Sequence, residues 1–192
     1  LKPINDGSSG PAVRLKSKLK PFFLRRLKKE VAKDLPDRID KVIYADFNDD
    51  ERKLYDSLYL SSKTQVIEKL NTGGKVLEAL ELLLRLRQIC CHQSLLPGKQ
   101  ATDSAKIRIL KEKLSTILLE NHKALVFSQW TSFLDIIQTE LEMMGIEFLR
   151  LDGSSTNRQE LVDKFQDDNG PKIMIMSLKA GGVGLNLTKA DH

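Results

Sequence analysis

The chain has 192 residues, of which 41% are hydrophobic and 30% are charged, with a formal net charge of +5. This composition is typical of a soluble globular protein and excludes an intrinsically disordered chain. No stretch approaches the roughly 18 continuous apolar residues of a membrane span, and no secretory signal pattern opens the chain. We therefore expect a cytoplasmic location in a bacterium or a nuclear location in a eukaryote.

The first 47 residues are predicted to form a linker, a basic helix and a strand. Residues 1–16 are rich in glycine, serine and proline and indicate the linker. Apolar residues at helical spacing predict a helix from Ser17 to beyond Val31, and alternation predicts a strand over Arg38–Phe47. Basic residues crowd positions 14–33. Contact with nucleic acid, docking on an acidic partner domain and a solvated helix face all fit that charge.

Residues 48–103 are predicted to form a helical subdomain. Asn48–Glu51 offer an N-cap and an acidic first turn for a helix that runs to about Leu70. A glycine-containing break is followed by a second helix over Val76–Cys90, whose wide apolar face we expect to be buried on most sides. Cys90 and Cys91 point about 100° apart on a helix, so they are expected to be buried thiols rather than a disulfide or, with His92, a zinc site.

Residues 104–192 predict an α/β unit. Ser104 can cap a helix, and short apolar strands then alternate with amphipathic helices. The strands are predicted over 124–127, 148–151 and 172–176, with helices over 133–144 and 156–165 between them. This order implies right-handed crossovers and a parallel sheet flanked by helices.

Each predicted strand ends in small, hydroxyl or amide residues. The three ends are Ser128-Gln129-Trp130, Asp152 to Thr156, and Ser177 to Gly182. Ligands of parallel sheets bind at the carboxyl ends of the strands, and such residues hydrogen-bond phosphate oxygens without reading bases. The serines can equally cap the helices that follow, and Trp130 can pack as an apolar ring. Glycines after the last strand allow a ligand to approach the backbone closely.

Several motifs in order resemble one family. Lys123–Trp130, Leu149–Ser155 and Ser177–Asp191 are similar to successive motifs of the second RecA-like lobe of Swi/Snf-type helicase-like ATPases of superfamily two. Upstream, Leu19–Arg26 with Asp34–Pro36, and Leu84–His92, resemble the segments between that family's two lobes. The resemblance covers nearly the whole chain. It implies that residues 17–47 join the lobes and that residues 104–192 form a RecA-like second lobe.

The resemblance implies a double-stranded-DNA-stimulated ATPase that translocates on DNA and remodels nucleoprotein. Its expected partners are duplex DNA, the first helicase lobe and DNA-bound proteins, and its cofactor is ATP with Mg²⁺, supplied mainly by the first lobe. No resident metal is expected in this chain. The DNA-binding residues that the resemblance implies are Ser128, Gln129, Trp130, Gly153, Ser154, Ser177, Leu178, Lys179, Ala180 and Gly181. Those toward ATP are Gly182, Gly184 and Asn186.

The sequence holds no Gly-x-x-x-x-Gly-Lys-Ser/Thr loop and no acidic motif of the helicase type. It also stops before the family's later motif with two arginines, so this chain alone is expected not to hydrolyse ATP. An alternative is a non-catalytic α/β module that binds an anionic ligand or a protein. A small-molecule transferase is a poorer fit, because Asp152 is the only carboxylate well placed at a strand end.

Overall fold

The computed structural model describes residues 9–24, 26, 31, 38–71, 76–101, 103–182 and 184–192, and at 9, 62, 64–71 and 76–79 it describes the backbone only. The chain divides into two compact units, Leu1–Ile43 and Tyr44–His192, which are described separately. No helix among the described residues is both long and apolar enough to cross a membrane.

In the first unit, helix α1 runs over Ser9–Leu19 and is followed by a 3-10 turn over Lys20–Phe22. Part of the predicted linker is therefore helical. Of the helix predicted from Ser17 to beyond Val31, the first three residues belong to α1, and Val31 is also helical. Pro21 explains the end of α1, because proline has no N–H to donate to the carbonyl group four residues earlier. The predicted continuation at positions 25, 27–30 and 32–37 lies outside the described residues.

The prediction of a strand over Arg38–Phe47 is wrong. Positions 38–48 are irregular, and Ile39 and Val42 are 88% and 76% exposed. Alternation of apolar residues produces a strand only when a neighbouring strand accepts its backbone hydrogen bonds. Among the described residues, the sheet offers this segment no such neighbour.

The second unit begins with two helices, α2 over Asp49–Asn71 and α3 over Val76–Ile89, and then a 3-10 turn over Gln93–Leu95. The predicted N-cap of α2 is confirmed, since Asn48 Oδ1 accepts a hydrogen bond from Glu51 N at 2.8 Å. The predicted burial of α3 is wrong. Leu80 and Leu83 are 55% and 56% exposed, and within positions 80–89 only Ile89 is fully buried.

The rest of the second unit is a three-stranded parallel sheet with helices on both faces. It comprises α4 (Ala105–Leu119), β1 (Ala124–Ser128), α5 (Thr131–Met143), β2 (Phe148–Leu151), α6 (Arg158–Gln166), β3 (Ile173–Ser177) and the short helix α7 (Leu178–Gly181). The strand order is β1-β3-β2, and both pairings are parallel. The predicted parallel sheet and the Ser104 cap of α4, which accepts from Ile107 N, are confirmed.

Strand β3 is buried along its whole length because both of its faces are covered. Ile173 and Ile175 pack in the cluster formed with α4 and α5. Met174 and Met176 belong to a second cluster with Leu151 and Phe165. A strand that is apolar at every position fits this central place, since parallel sheets are covered on both faces.

Candidate nucleic-acid interface

The carboxyl ends of the three strands lie at one edge of the sheet. Ser128 at the end of β1 is opposite Ser177 at the end of β3, and Leu151 at the end of β2 is opposite Met176. The loops that begin at residues 129, 152 and 178 therefore emerge side by side. We call this the carboxyl edge. The structure brings together the three strand ends that the sequence singled out.

The loop after β1 is fixed by the side chain of Ser128. This serine is buried, and its Oγ accepts a hydrogen bond from Trp130 N at 3.1 Å and donates to Trp130 O at 3.0 Å. Its hydroxyl proton is thus used within the loop. Gln129 is exposed and Trp130 is half-buried. The sequence did not single out Arg87 of α3, which donates to Gln129 Oε1 and lies 5.3 Å from the centroid of the Trp130 ring.

The loop after β2 is organised around the buried carboxylate of Asp152. Its Oδ1 accepts from Ser154 N at 2.9 Å and from Ser154 Oγ at 2.6 Å, and its Oδ2 accepts from Arg150 Nε at 2.8 Å. Hydrogen bonds from Ser154, and then the Arg150 guanidinium, hold the pKa of Asp152 below its ordinary value. A carboxylate stabilised in this way is a weak base, which disfavours the transferase alternative. Gly153 and Ser154 are exposed at the tip.

The loop after β3 is the short helix α7. Ser177 is buried and caps it, with Oγ accepting from Ala180 N at 3.2 Å. Ala180 is buried, while Leu178 and Lys179 face solvent. Gly181 packs on the side chain of Phe127, so closely that an added Cβ would lie 2.5 Å from the ring atom Cε1. The sequence gave no sign of this contact, because Phe127 belongs to β1.

The three residues predicted to face ATP follow α7. Gly182 and Asn186 are exposed, and Gly184 has a φ of 49°, a left-handed conformation that favours glycine. Position 183 lies outside the described residues. Gln166, at the end of α6, fixes the segment beyond: its Nε2 donates to Asn186 O at 3.1 Å, and its Oε1 accepts from Lys189 N at 3.0 Å. A glutamine ending a helix carries no sequence signal for this role.

The cysteines and histidines lie outside the carboxyl edge. Cys90 and Cys91 are free and half-buried, and burial raises the pKa of both thiols. His92 is buried, and its Nδ1 accepts from Ser94 N at 3.2 Å. His122, Asp191 and His192 bring possible metal-ligand atoms within 4.8 Å of one another. The Asp191 carboxylate is already bonded to the His122 ring and to Lys123 N, so the group ties the segment after α7 to the start of β1.

Comparison with known proteins identifies the family. Residues 1–95 match the family model of the SNF2-related domain, and residues 105–192 match that of the helicase conserved C-terminal domain. The chain belongs to the Swi/Snf-type family of helicase-like ATPases. The resemblance inferred from the motifs is thereby confirmed.

Relatives of this Swi/Snf-type chain come from several kingdoms. It is 33% identical over 194 residues to the human "SWI/SNF-related matrix-associated actin-dependent regulator of chromatin subfamily A member 1", covering 93% of this chain and 18% of that protein. It is 34% identical over 180 residues to an ATP-dependent helicase of Mycoplasma genitalium, covering 93% of this chain and 17% of the relative. The chain thus spans less than a fifth of the length of these relatives.

The fold also matches solved structures of the family. The Sulfolobus solfataricus SWI2/SNF2 ATPase core in complex with dsDNA has a TM-score of 0.70 and 27% identity, covering 99% of this chain and 42% of that one. The C-terminal domain of the Sulfolobus ATPase gives a TM-score of 0.65 and 25% identity, over 77% of this chain and 67% of that domain. The predicted fold class, a RecA-like parallel sheet with a helical N-terminal part, is confirmed. The domain boundaries and the roles of individual residues stay predictions.

Proposed function

We propose that this chain supplies the second lobe of a double-stranded-DNA-stimulated ATPase that translocates on DNA and remodels nucleoprotein. The observation that carries the proposal is the carboxyl edge, where three strand-end loops emerge side by side in a chain of this family. The matched Sulfolobus ATPase core in complex with dsDNA supports it. Such a protein acts on DNA and is therefore located in the nucleus of a eukaryote or at the nucleoid of a bacterium.

The carboxyl edge suits a sequence-independent grip on a DNA backbone. It offers the exposed ammonium group of Lys179 and the exposed amide of Gln129, whereas Asp152, the carboxylate at the end of β2, is neutralised by Arg150. Contacts of this kind bind phosphates and carry no base readout. A motor that steps along DNA needs that property, because sequence-specific contacts would hold it at preferred sites.

ATP with Mg²⁺ would bind between this lobe and a first lobe, with Gly182, Gly184 and Asn186 toward the nucleotide. When bound, the nucleotide supplies the free energy of hydrolysis. In this chain, the backbone at Gly184 can approach a phosphate without a Cβ in the way. Gln166 fixes the segment that carries Asn186, so that closure of the cleft would move the segment together with the sheet.

The first experiment is duplex binding by the chain, measured by fluorescence anisotropy between about 50 and 200 mM salt. Binding to the DNA backbone predicts that the logarithm of the affinity falls steeply and linearly with the logarithm of the salt concentration. Replacing Lys179 by Met is expected to reduce the salt slope by about one. The matched control is Lys113→Met, because this exposed lysine lies on α4, away from the edge. Duplex binding that is absent or independent of salt would favour the non-catalytic binding module instead.

The second experiment addresses the ATPase. The chain alone is expected to show no DNA-stimulated hydrolysis, whereas a longer chain that adds a first lobe and the arginine motif is expected to hydrolyse ATP faster with duplex DNA. A longer chain that binds ATP but gains nothing from DNA would contradict the translocase proposal.

A further inference from the structure

Arg87 connects the helical subdomain to the carboxyl edge. It lies in the last turn of α3, and its Nη2 donates to the side-chain oxygen of Gln129, 42 residues along the chain. Its guanidinium also lies over the Trp130 ring, with 5.3 Å from Cζ to the centroid. Within the part of the chain that the structure describes, no carboxylate is recorded at ion-pair distance from Arg87. Its contacts are thus with two residues predicted to bind DNA.

The contact with Arg87 determines which end of the Gln129 amide faces solvent. A guanidinium group has five donors and no acceptor, so Gln129 must present its oxygen to it. The amide nitrogen of Gln129 then points away from Arg87, and the structure records no acceptor for it among the described residues. An exposed NH₂ group fixed in this way is already oriented to donate to an anionic oxygen. Binding then costs less conformational entropy than it would with a freely rotating amide.

The same guanidinium fixes the Trp130 ring. Trp130 and Arg87 line a cavity of about 370 Å³ together with Tyr55, Leu83, Leu86, Cys90, Cys91 and Lys106. The ring also packs against the apolar cluster that contains Phe133 and Leu134. The guanidinium adds a second contact, since an Arg over an indole face is attracted by the ring quadrupole.

The serine hydroxyls at this edge are less suited to phosphate than their sequence pattern indicates. The Ser128 hydroxyl donates to Trp130 O, and the Ser154 hydroxyl donates to Asp152 Oδ1. Both protons are therefore used within the protein. The amide of Gln129 gains importance, because it is an exposed side-chain donor whose orientation the protein itself sets.

We propose that Arg87 is a positioning residue of the DNA-binding edge, which holds Gln129 so that its amide nitrogen donates to a backbone phosphate and holds Trp130 beside it. This inference rests on the proposed function. Because Arg87 belongs to the helical subdomain, the orientation of that subdomain then affects DNA binding. It also gives a role in DNA binding to the end of α3.

The test is a double-mutant cycle on duplex affinity, with fluorescein-labelled duplex DNA and the variants Arg87→Met, Gln129→Met and the double variant. A lost hydrogen bond to a charged group predicts that each single variant binds about ten-fold more weakly. Positioning predicts that the double variant also loses about ten-fold, because both changes remove one contact. The conservative variant Arg87→Lys, which keeps a donor to Gln129, should recover most of the affinity.

The matched control is Arg85→Met, which removes the same charge from the same helix. Arg85 contacts Glu81 and Gln88 instead of the edge, and its loss should change affinity by less than about two-fold. Positioning further predicts that Arg87→Met and Arg85→Met keep the salt slope of the unaltered chain. Trp130 is the single tryptophan of the chain, so its emission reports whether each variant keeps the fold around the edge.

Three results would overturn the inference. A double variant about a hundred-fold weaker, or a salt slope reduced by about one in Arg87→Met, would show that Arg87 contacts phosphate independently. An Arg87→Met affinity equal to that of Arg85→Met would show that Arg87 does not act on DNA binding. If the unaltered chain itself shows no salt-dependent duplex binding, the proposed function fails and the inference fails with it.

Discussion

Removal of Glu51 should weaken the link between the helical subdomain and the α/β part of the chain over residues 104–192. Glu51 is only 1% exposed. Its Oε2 accepts from Asn48 N at 2.8 Å, and its Oε1 accepts from Ala105 N at 2.9 Å, 54 residues along the chain. One carboxylate therefore bonds the N-termini of both α2 and α4, where the helix dipoles favour a negative charge.

The expected cost of Glu51→Ala follows from these two bonds. A hydrogen bond to a charged group is worth about 1.5 to 3 kcal/mol, and Ala105 N would be left buried without a partner. We expect the free energy of unfolding to fall by about 3 to 5 kcal/mol, a large part of the stability of a typical domain. Glu51→Gln keeps the shape but turns an NH₂ group toward one of the two N–H donors, so it should cost about 2 kcal/mol.

The assay is urea unfolding followed by the emission of Trp130, which lies in the same unit. The matched control is Asp50→Ala, which removes an 88% exposed carboxylate from the same helical turn and should cost less than about 1 kcal/mol. If Glu51→Ala and Asp50→Ala lower the free energy of unfolding by the same amount, the buried carboxylate does not link the two helices energetically, and the reasoning is refuted.

Three further predictions concern the edge and its supports. Gly181→Ala should destabilise the fold by about 1 to 2 kcal/mol, because the new Cβ meets the Phe127 ring, and Phe127→Ala in the same chain should relieve most of that cost. Ser154→Ala should lower stability at neutral pH by about 1 kcal/mol, since it removes the hydroxyl bond that helps to keep Asp152 ionised, whereas the backbone N–H at position 154 still donates to Asp152. The folded-state pKa of Asp152 is lowered, so this effect is present above pH about 4 and disappears as the pH falls further. Ser104→Ala should cost about 1 to 2 kcal/mol through loss of the α4 cap.

Urea unfolding at two pH values checks all three. Gly153→Ala is the control for Gly181→Ala, because open space surrounds Gly153 and both glycines would gain the same methyl group. An equal loss in the two variants would contradict the contact with Phe127. For Ser154→Ala, the loss of stability at pH 7 is compared with the loss at a pH well below 4. Equal losses at the two pH values would argue against the linkage to Asp152. For Ser104→Ala, the control is Ser115→Ala within α4, which should be nearly neutral.

The wrong predictions for Arg38–Phe47 and for α3 share one cause. Arg38–Phe47 has the alternation of a strand, and α3 has the apolar face of a buried helix, yet among the described residues no strand pairs with the first and most of positions 80–89 in the second stay at least partly exposed. The spacing of apolar residues reports which face could be buried. It does not report whether another element covers that face.

The sequence by itself determined the order of strands and helices in residues 104–192, the parallel sheet, the caps at Asn48 and Ser104, and the family. The strands, helices and caps depend on hydrogen bonds and apolar spacings within a few residues, so a short stretch of chain encodes them. The parallel sheet follows from the alternation of strands and helices, and the family follows from the order of motifs along the chain. Only the tertiary structure decided that Arg87 donates to Gln129 and that Glu51 reaches α4. Those contacts join residues 42 and 54 positions apart, and they exist because packing places the ends of different elements within hydrogen-bond distance.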